Sequence, residues 1–160
     1  KASAATAAAT TKPAAQSKVP ADVCALVTLD QVHQLAPTAG AGKVSPQQGI
    51  PGQTIVACRW EWPEGVGSLD VKISTLPVGG GITEDDLKAG LRATVAGGKE
   101  NGREVSGIGD VAIIRSPINA DANVQAVVHG LMLDIDLNVL GARDSQDKLI
   151  AFAKIVADGM

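Results

Sequence analysis

The chain has no tyrosine, one phenylalanine and two tryptophans among its 160 residues. A surface so poor in aromatics offers no stacking platform for bases, and it counts against a sugar-stacking groove. Basic residues are also scarce where nucleic acid would need them. Residues 1–20 carry Lys1, Lys12 and Lys18 and no acid, which leaves 11 basic against 17 acidic residues in the rest of the chain. That balance provides no basic stripe, so nucleic acid is not an expected partner. No apolar run approaches the ~20 residues that span a bilayer. The longest candidate, Leu131 to Leu140, is interrupted by Asp134, Asp136 and Asn138.

The motifs that announce chemistry are missing too. Ser45, Ser74, Ser106 and Ser116 do not sit in a Gly-x-Ser-x-Gly elbow. Gly79-Gly80-Gly81 is followed by Ile82-Thr83, not by the Lys-Ser or Lys-Thr of a phosphate loop. Gly107-Ile108-Gly109 lacks the third glycine of a dinucleotide site, so its glycines read as a tight turn or bulge at a strand entrance. His33 and His129 belong to no His/Cys/Asp cluster and read as surface or turn residues. Asp134-Ile135-Asp136 invites a metal reading, but alternate polar residues on the wet face of a strand explain it better. The sequence therefore nominates no catalytic residue, no metal ligand and no cofactor, and its ligand-binding residues are unknown. An enzyme is not expected.

What is present is one pair of cysteines, Cys24 and Cys58. Two cysteines alone can be two buried thiols. Behind a leader of Ala, Thr, Ser, Lys and Pro they read better as one disulfide in an exported domain. Their spacing is not Cys-x-x-Cys, so the bridge reads as a staple and not as a redox centre. The chain-entropy estimate for a loop of this size is roughly 3–4 kcal/mol. Residues 1–20, interrupted by Pro13 and Pro20, read as a flexible linker with a reach of roughly 65 Å at ~3.3 Å per residue. Residues 21–160 form the one expected domain.

Within that domain the patterning alternates between helix and strand. Residues 21–36 read as a helical segment with a possible break, because Thr28 and Gln31 have capping-box spacing and a second piece can start at Leu29. Pro37 stops it, and residues 38–53 read as a long loop. Thr54–Trp62 predicts a strand with Val56, Cys58, Trp60 and Trp62 on one face; both tryptophans are expected in the core. Ser68–Leu76 predicts a second strand, with Leu69, Val71 and Ile73 inward. Thr83 caps a helix whose Leu87, Leu91 and Val95 share a face; Gly90 within it implies either a marginal helix or close packing. Gly97-Gly98 ends it, and Asn101-Gly102 marks a turn. Val111–Arg115, Asn123–His129 and Leu131–Leu140 predict three more strands, the last two joined by a tight turn at His129-Gly130. A final helix runs from about Asp144 to Ala157 with Leu149, Phe152, Ala153 and Val156 on one face. The expected class is α+β: an antiparallel sheet of about five strands packed against helices, in the order α-β-β-α-β-β-β-α.

Three motifs in this order resemble a family of small actinobacterial cell-envelope lipoproteins of mostly unknown function. They are Cys24-Ala25-Leu26-Val27-Thr28, Cys58-Arg59-Trp60 and Val105-Ser106-Gly107-Ile108-Gly109-Asp110-Val111-Ala112. Val27 and Ile108 stand where the family pattern has leucines. The resemblance covers roughly residues 21–158. It implies an extracytoplasmic domain similar in outline to PsbP-like folds and a lipid anchor upstream of Lys1, and it implies no catalytic residues. The expected function is a non-catalytic binding or scaffold module tethered to the cell envelope. Its contact surface would be the loops at 38–53, 77–82 and 116–122. The partner would be an envelope protein. The alternatives are an inhibitor-like protein, or a carrier holding a lipid or other hydrophobic small molecule between sheet and helices. A monomer is expected.

Overall fold

A computed structural model describes residues 18–45, 47–76, 81–96 and 102–160. Among these, seven strands form one sheet in the order β1-β2-β3-β7-β6-β5-β4, and every pairing is antiparallel. The strands are β1 (Lys43–Val44), β2 (Ile55–Glu61), β3 (Gly67–Ser74), β4 (Arg103–Val105), β5 (Val111–Arg115), β6 (Asp121–Val128) and β7 (Leu131–Val139). The helices are α1 (Leu29–Leu35), α2 (Glu84–Val95) and α3 (Gln146–Asp158). The α+β class is as expected, but the sheet has seven strands where about five were predicted. The two extra strands, β1 and β4, are the edges. At two and three residues they are too short to show an alternation in sequence. They pair because β2 and β5 present free backbone groups there. Residues 38–53 are therefore not all loop.

The helical stretch at 21–36 breaks where the capping box requires it. A 3-10 turn at Cys24–Leu26 is followed by α1, whose Thr28 hydroxyl accepts from the Gln31 amide while the Gln31 side chain accepts from the Thr28 amide. Thr83 and Asp86 make the same reciprocal pair at the start of α2. The Thr83 hydroxyl and then its amide hold the Asp86 carboxyl below the usual carboxylate range. Lys88 ties this end of α2 to Asp110, before β5, with Glu84 as a second partner. The expected leader at 1–20 lies outside the described residues except for Lys18, Val19 and Pro20. Val19 is already buried in the core. The stop at Gly97-Gly98, Asn101 and most of the glycine-rich loop at 77–81 also fall outside them.

The main core lies between one face of the sheet and α1 with α3. Val32 and Leu35 of α1, and Leu149, Phe152, Ala153 and Val156 of α3, pack with Trp60, Leu69, Val71, Leu133, Ile135 and Leu137. Each buried Leu, Ile or Phe contributes about 1.5–3 kcal/mol by leaving water. Among the described residues, the opposite face is covered over one half only. There Leu87, Leu91 and Val95 of α2 sit on Val111, Ile113, Val127 and Met132. Among the described residues, no helix lies over the outer face of β2, β3 and the adjoining part of β7.

Two connections need glycine. His129 and Gly130 both take positive φ, 50° and 75°, as a two-residue hairpin of primed type requires. Gly109 has φ 55°, and a Cβ there would collide with the Val127 carbonyl. This lets Asp110 donate to that carbonyl at 2.8 Å and drives Ile108 into the core. At Gly90, by contrast, an added Cβ meets nothing within 4 Å, so no close packing explains it. We expect Gly109→Ala to cost roughly 2–4 kcal/mol and Gly90→Ala to add up to about 1 kcal/mol. Urea unfolding of both variants checks the pair.

Candidate functional site

Cys24 and Cys58 are joined, with their Cα atoms 5.1 Å apart. The bridge ties the 3-10 turn before α1 to the inner face of β2, as a staple does. His33 is committed to structure: its Nε2 lies 2.9 Å from the Ala39 carbonyl, just beyond α1. His129 is exposed at its turn. Ser116 is buried with its hydroxyl 2.5 Å from the Asp121 carbonyl and 3.1 Å from that of Ile118, which closes the loop between β5 and β6. These contacts organise loops and do not join a nucleophile to a base.

The uncovered outer face is built from polar residues that the strand register lines up. Arg59, Asp70, Asp136, Asn123 and Arg115 are successive cross-strand neighbours on β2, β3, β7, β6 and β5. Asp70 and Asp136 stand directly opposite one another, an arrangement that destabilises a sheet unless cations intervene. Arg59 lies 3.5 Å from Asp70, and Lys72 lies 3.1 Å from Asp136 and 3.4 Å from Asp134. The buried Asn123 amide donates to Asp134 at 2.6 Å and to Asp136 at 2.8 Å, and its oxygen accepts from Arg115 Nε at 3.2 Å. Burial is the largest single influence on Lys72 and lowers its pKa. The charges of Asp134 and Asp136 and their hydrogen bonds together outweigh it, so the pKa lies above the ordinary 10.5. The Lys72 ammonium thus sits where a metal reading of Asp134 and Asp136 would need its cation. Among the described residues, no three His, Cys, Asp or Glu side chains are grouped to hold a metal.

At one end of this face a shallow groove of about 780 Å³ opens between the β2–β3 turn, the β5–β6 loop and the end of β7. Arg59 and Glu61, paired at 3.2 Å, form one wall. Trp62, Val139 and Ala120 contribute apolar surface, and Val66 and Leu140 stand at its lip, 64% and 81% exposed. A smaller hollow of about 150 Å³ beside β1 shares Arg59 and Glu61 and adds Lys43, Val44 and Ser45. Val44 is also 64% exposed, and the exposed Ile118 lies two residues before Ala120. Exposed Val66 and Leu140 thus edge the groove and exposed Val44 the smaller hollow, and the two hollows meet at Arg59 and Glu61.

Two of the three expected contact loops, 38–53 and 116–122, contribute to this end of the sheet; most of 77–82 lies outside the described residues. Trp60 and Trp62 are buried as expected, although Trp62 reaches the groove wall. Sequence reasoning missed Val66 and Leu140. Their signal was an apolar residue beside a turn glycine, at Gly65-Val66 and Leu140-Gly141. A further cleft of about 220 Å³ lies between α1 and α3, lined by Leu35, Phe152 and Ile155 beneath Gln31, Gln34 and Lys148.

Compared with known proteins, the chain matches no family model, no curated protein and no solved structure. The bridge fits an oxidising, extracytoplasmic setting. Among the described residues no helix is long and apolar enough to cross a membrane.

The Lys72 contacts carry a pH dependence of definite sign. A raised pKa in the folded state means that the stabilisation is complete below about pH 10.5 and is lost as pH rises through the folded value. We expect Lys72→Met to cost about 1–2 kcal/mol near neutrality, since the partly exposed pair is screened by water. Urea unfolding of variant and parent should converge in strong alkali, and a gap that persists there would remove this account.

Proposed function

We propose that the chain is a non-catalytic, extracytoplasmic binding module, tethered to the cell envelope through its N-terminal linker, that engages a protein partner at the groove on the outer sheet face. The observation that carries this reading is the gathering of Val44, Val66 and Leu140 around Arg59 and Glu61, on a face that α2 leaves bare. A domain stabilised by a core on both sides of its sheet has no folding reason to leave those side chains in water. Apolar side chains ringed by charged ones are the usual make-up of a protein contact. The polar ladder beside the groove keeps the floor rigid, because each of its members is held by a neighbouring strand. The resemblance of the three sequence motifs to envelope lipoproteins agrees with this reading, as does the stapled fold.

The cleft between α1 and α3 supports a second reading, a carrier of a hydrophobic small molecule, because Leu35, Phe152 and Ile155 give it an apolar floor. At about 220 Å³ it falls below the ~300–1,000 Å³ of ordinary ligand pockets, so the groove is preferred.

A photo-crosslinking side chain placed at Leu140 distinguishes the readings. In native envelope preparations it should give a discrete protein adduct that Val66→Lys suppresses at least tenfold. The same probe at Lys154, on the exposed face of α3, should give none. Equal labelling from both sites would remove the groove from consideration. Recovery of bound lipid by native mass analysis, with no adduct at Leu140, would favour the carrier.

A further inference from the structure

The segment Ala39–Ser45 crosses directly over the Cys24–Cys58 bridge. A Cβ placed on Gly42 would come within 2.7 Å of Cys58 Sγ and 2.6 Å of Trp60 Nε1, so only glycine lets the backbone lie this close. The segment is nevertheless held by little. Gly40, Ala41, Lys43 and Val44 are exposed, and Ala39 alone is buried. Its anchors are backbone hydrogen bonds: Gly40 to the Glu61 carbonyl at 2.9 Å, Ser45 to that of Ala57 at 3.0 Å, and the two-residue pairing of β1 with β2. At its start the Ala39 carbonyl rests on His33 Nε2. Segments with few buried apolar contacts open locally at much lower cost than the whole domain unfolds.

We infer that Ala39–Ser45 is a hinged cover over the disulfide, and that the bridge is reduced through local opening of this cover while the sheet stays folded. With the cover down, Cys58 is 0% exposed and Cys24 is half-buried. With it lifted, one thiolate of a dithiol attacks Cys24 Sγ, forms a mixed disulfide and releases the Cys58 thiolate. The second thiol of the reductant then closes its own ring and releases Cys24. Two electrons pass from the dithiol to the bridge, and protons from solvent complete two protein thiols. The same segment supplies Lys43, Val44 and Ser45 to the hollow beside Arg59 and Glu61. A ligand seated there holds the cover down, so the staple and that edge of the candidate site are coupled through one short stretch of backbone.

The test is the rate of reduction by excess dithiothreitol, followed by thiol alkylation and mass analysis, in urea concentrations below the unfolding transition. Local opening exposes little surface, so the rate should stay nearly flat in urea. His33→Ala, which removes the hinge contact, should speed reduction roughly fivefold, the factor that about 1 kcal/mol makes. Gly42→Ala, which presses the cover outward, should speed it as well. Ile113→Val, buried under α2 at the far side of the sheet, should lower global stability and leave the rate unchanged. A rate that climbs with urea as steeply as global unfolding overturns the inference. So does a rate that follows Ile113→Val and ignores both cover variants.

Discussion

β7 pairs with β3 from Met132 to Val139 and with β6 from Leu131 to Asn138, and among the described residues it is the strand that joins the two halves of the sheet. Its register therefore sets the character of both faces. Leu133, Ile135 and Leu137 go inward to the core of α1 and α3, while Asp134 and Asp136 go outward. A slip of one residue would exchange the two sets, burying both carboxylates and exposing three large apolar side chains. The cations and amides that meet Asp134 and Asp136 come from β3 and β6, so the outer face is as dependent on this register as the core.

That dependence explains why the sheet can be covered unevenly. α2 lies over the part of the outer face where Val111, Ile113, Val127 and Met132 need shelter. Beyond it the face is a ladder of paired charges that water can wet without cost. The ladder ends at the groove, where the pattern changes from paired polar residues to exposed apolar ones. A polar floor with an apolar lip is the surface we propose for contact, whereas the covered half is filled and closed.

The disulfide has an indirect part in this. It fixes the 3-10 turn before α1 to β2, and the strand it fixes is the one that carries Arg59 and Glu61 into both hollows. The segment after α1 then folds back as β1 over the bridge. The stapled end of the molecule and the candidate site are thus neighbours through β1 and β2. His33, Ser116 and the paired Asp134 and Asp136 are occupied in holding this arrangement, and the apolar lip is a feature that folding does not account for.

Much was legible in the chain before its fold. The capping boxes at Thr28 and Thr83 are local hydrogen-bond patterns, so three or four residues suffice to define each. The alternation in Leu131 to Val139 and the apolar face of Leu149, Phe152 and Val156 depend only on the strand and helix periods. The tight turn at His129-Gly130 and the pairing of two lone cysteines are equally local or combinatorial facts. Strands of two or three residues have no period to read, so β1 and β4 were invisible until β2 and β5 offered them an edge. The order in which strands meet, and hence the Arg59–Asp70–Asp136–Asn123–Arg115 row, depends on contacts between distant residues. So does the placing of Val44, Val66 and Leu140 around two hollows that share Arg59 and Glu61. Sequence by itself determined the longer elements, their buried faces and the staple, because those follow from backbone periods, neighbouring side chains and the presence of a single cysteine pair. Tertiary structure alone decided which half of the outer face stays bare and what gathers at its end, because that rests on strand order and on where α2 finds apolar surface to cover.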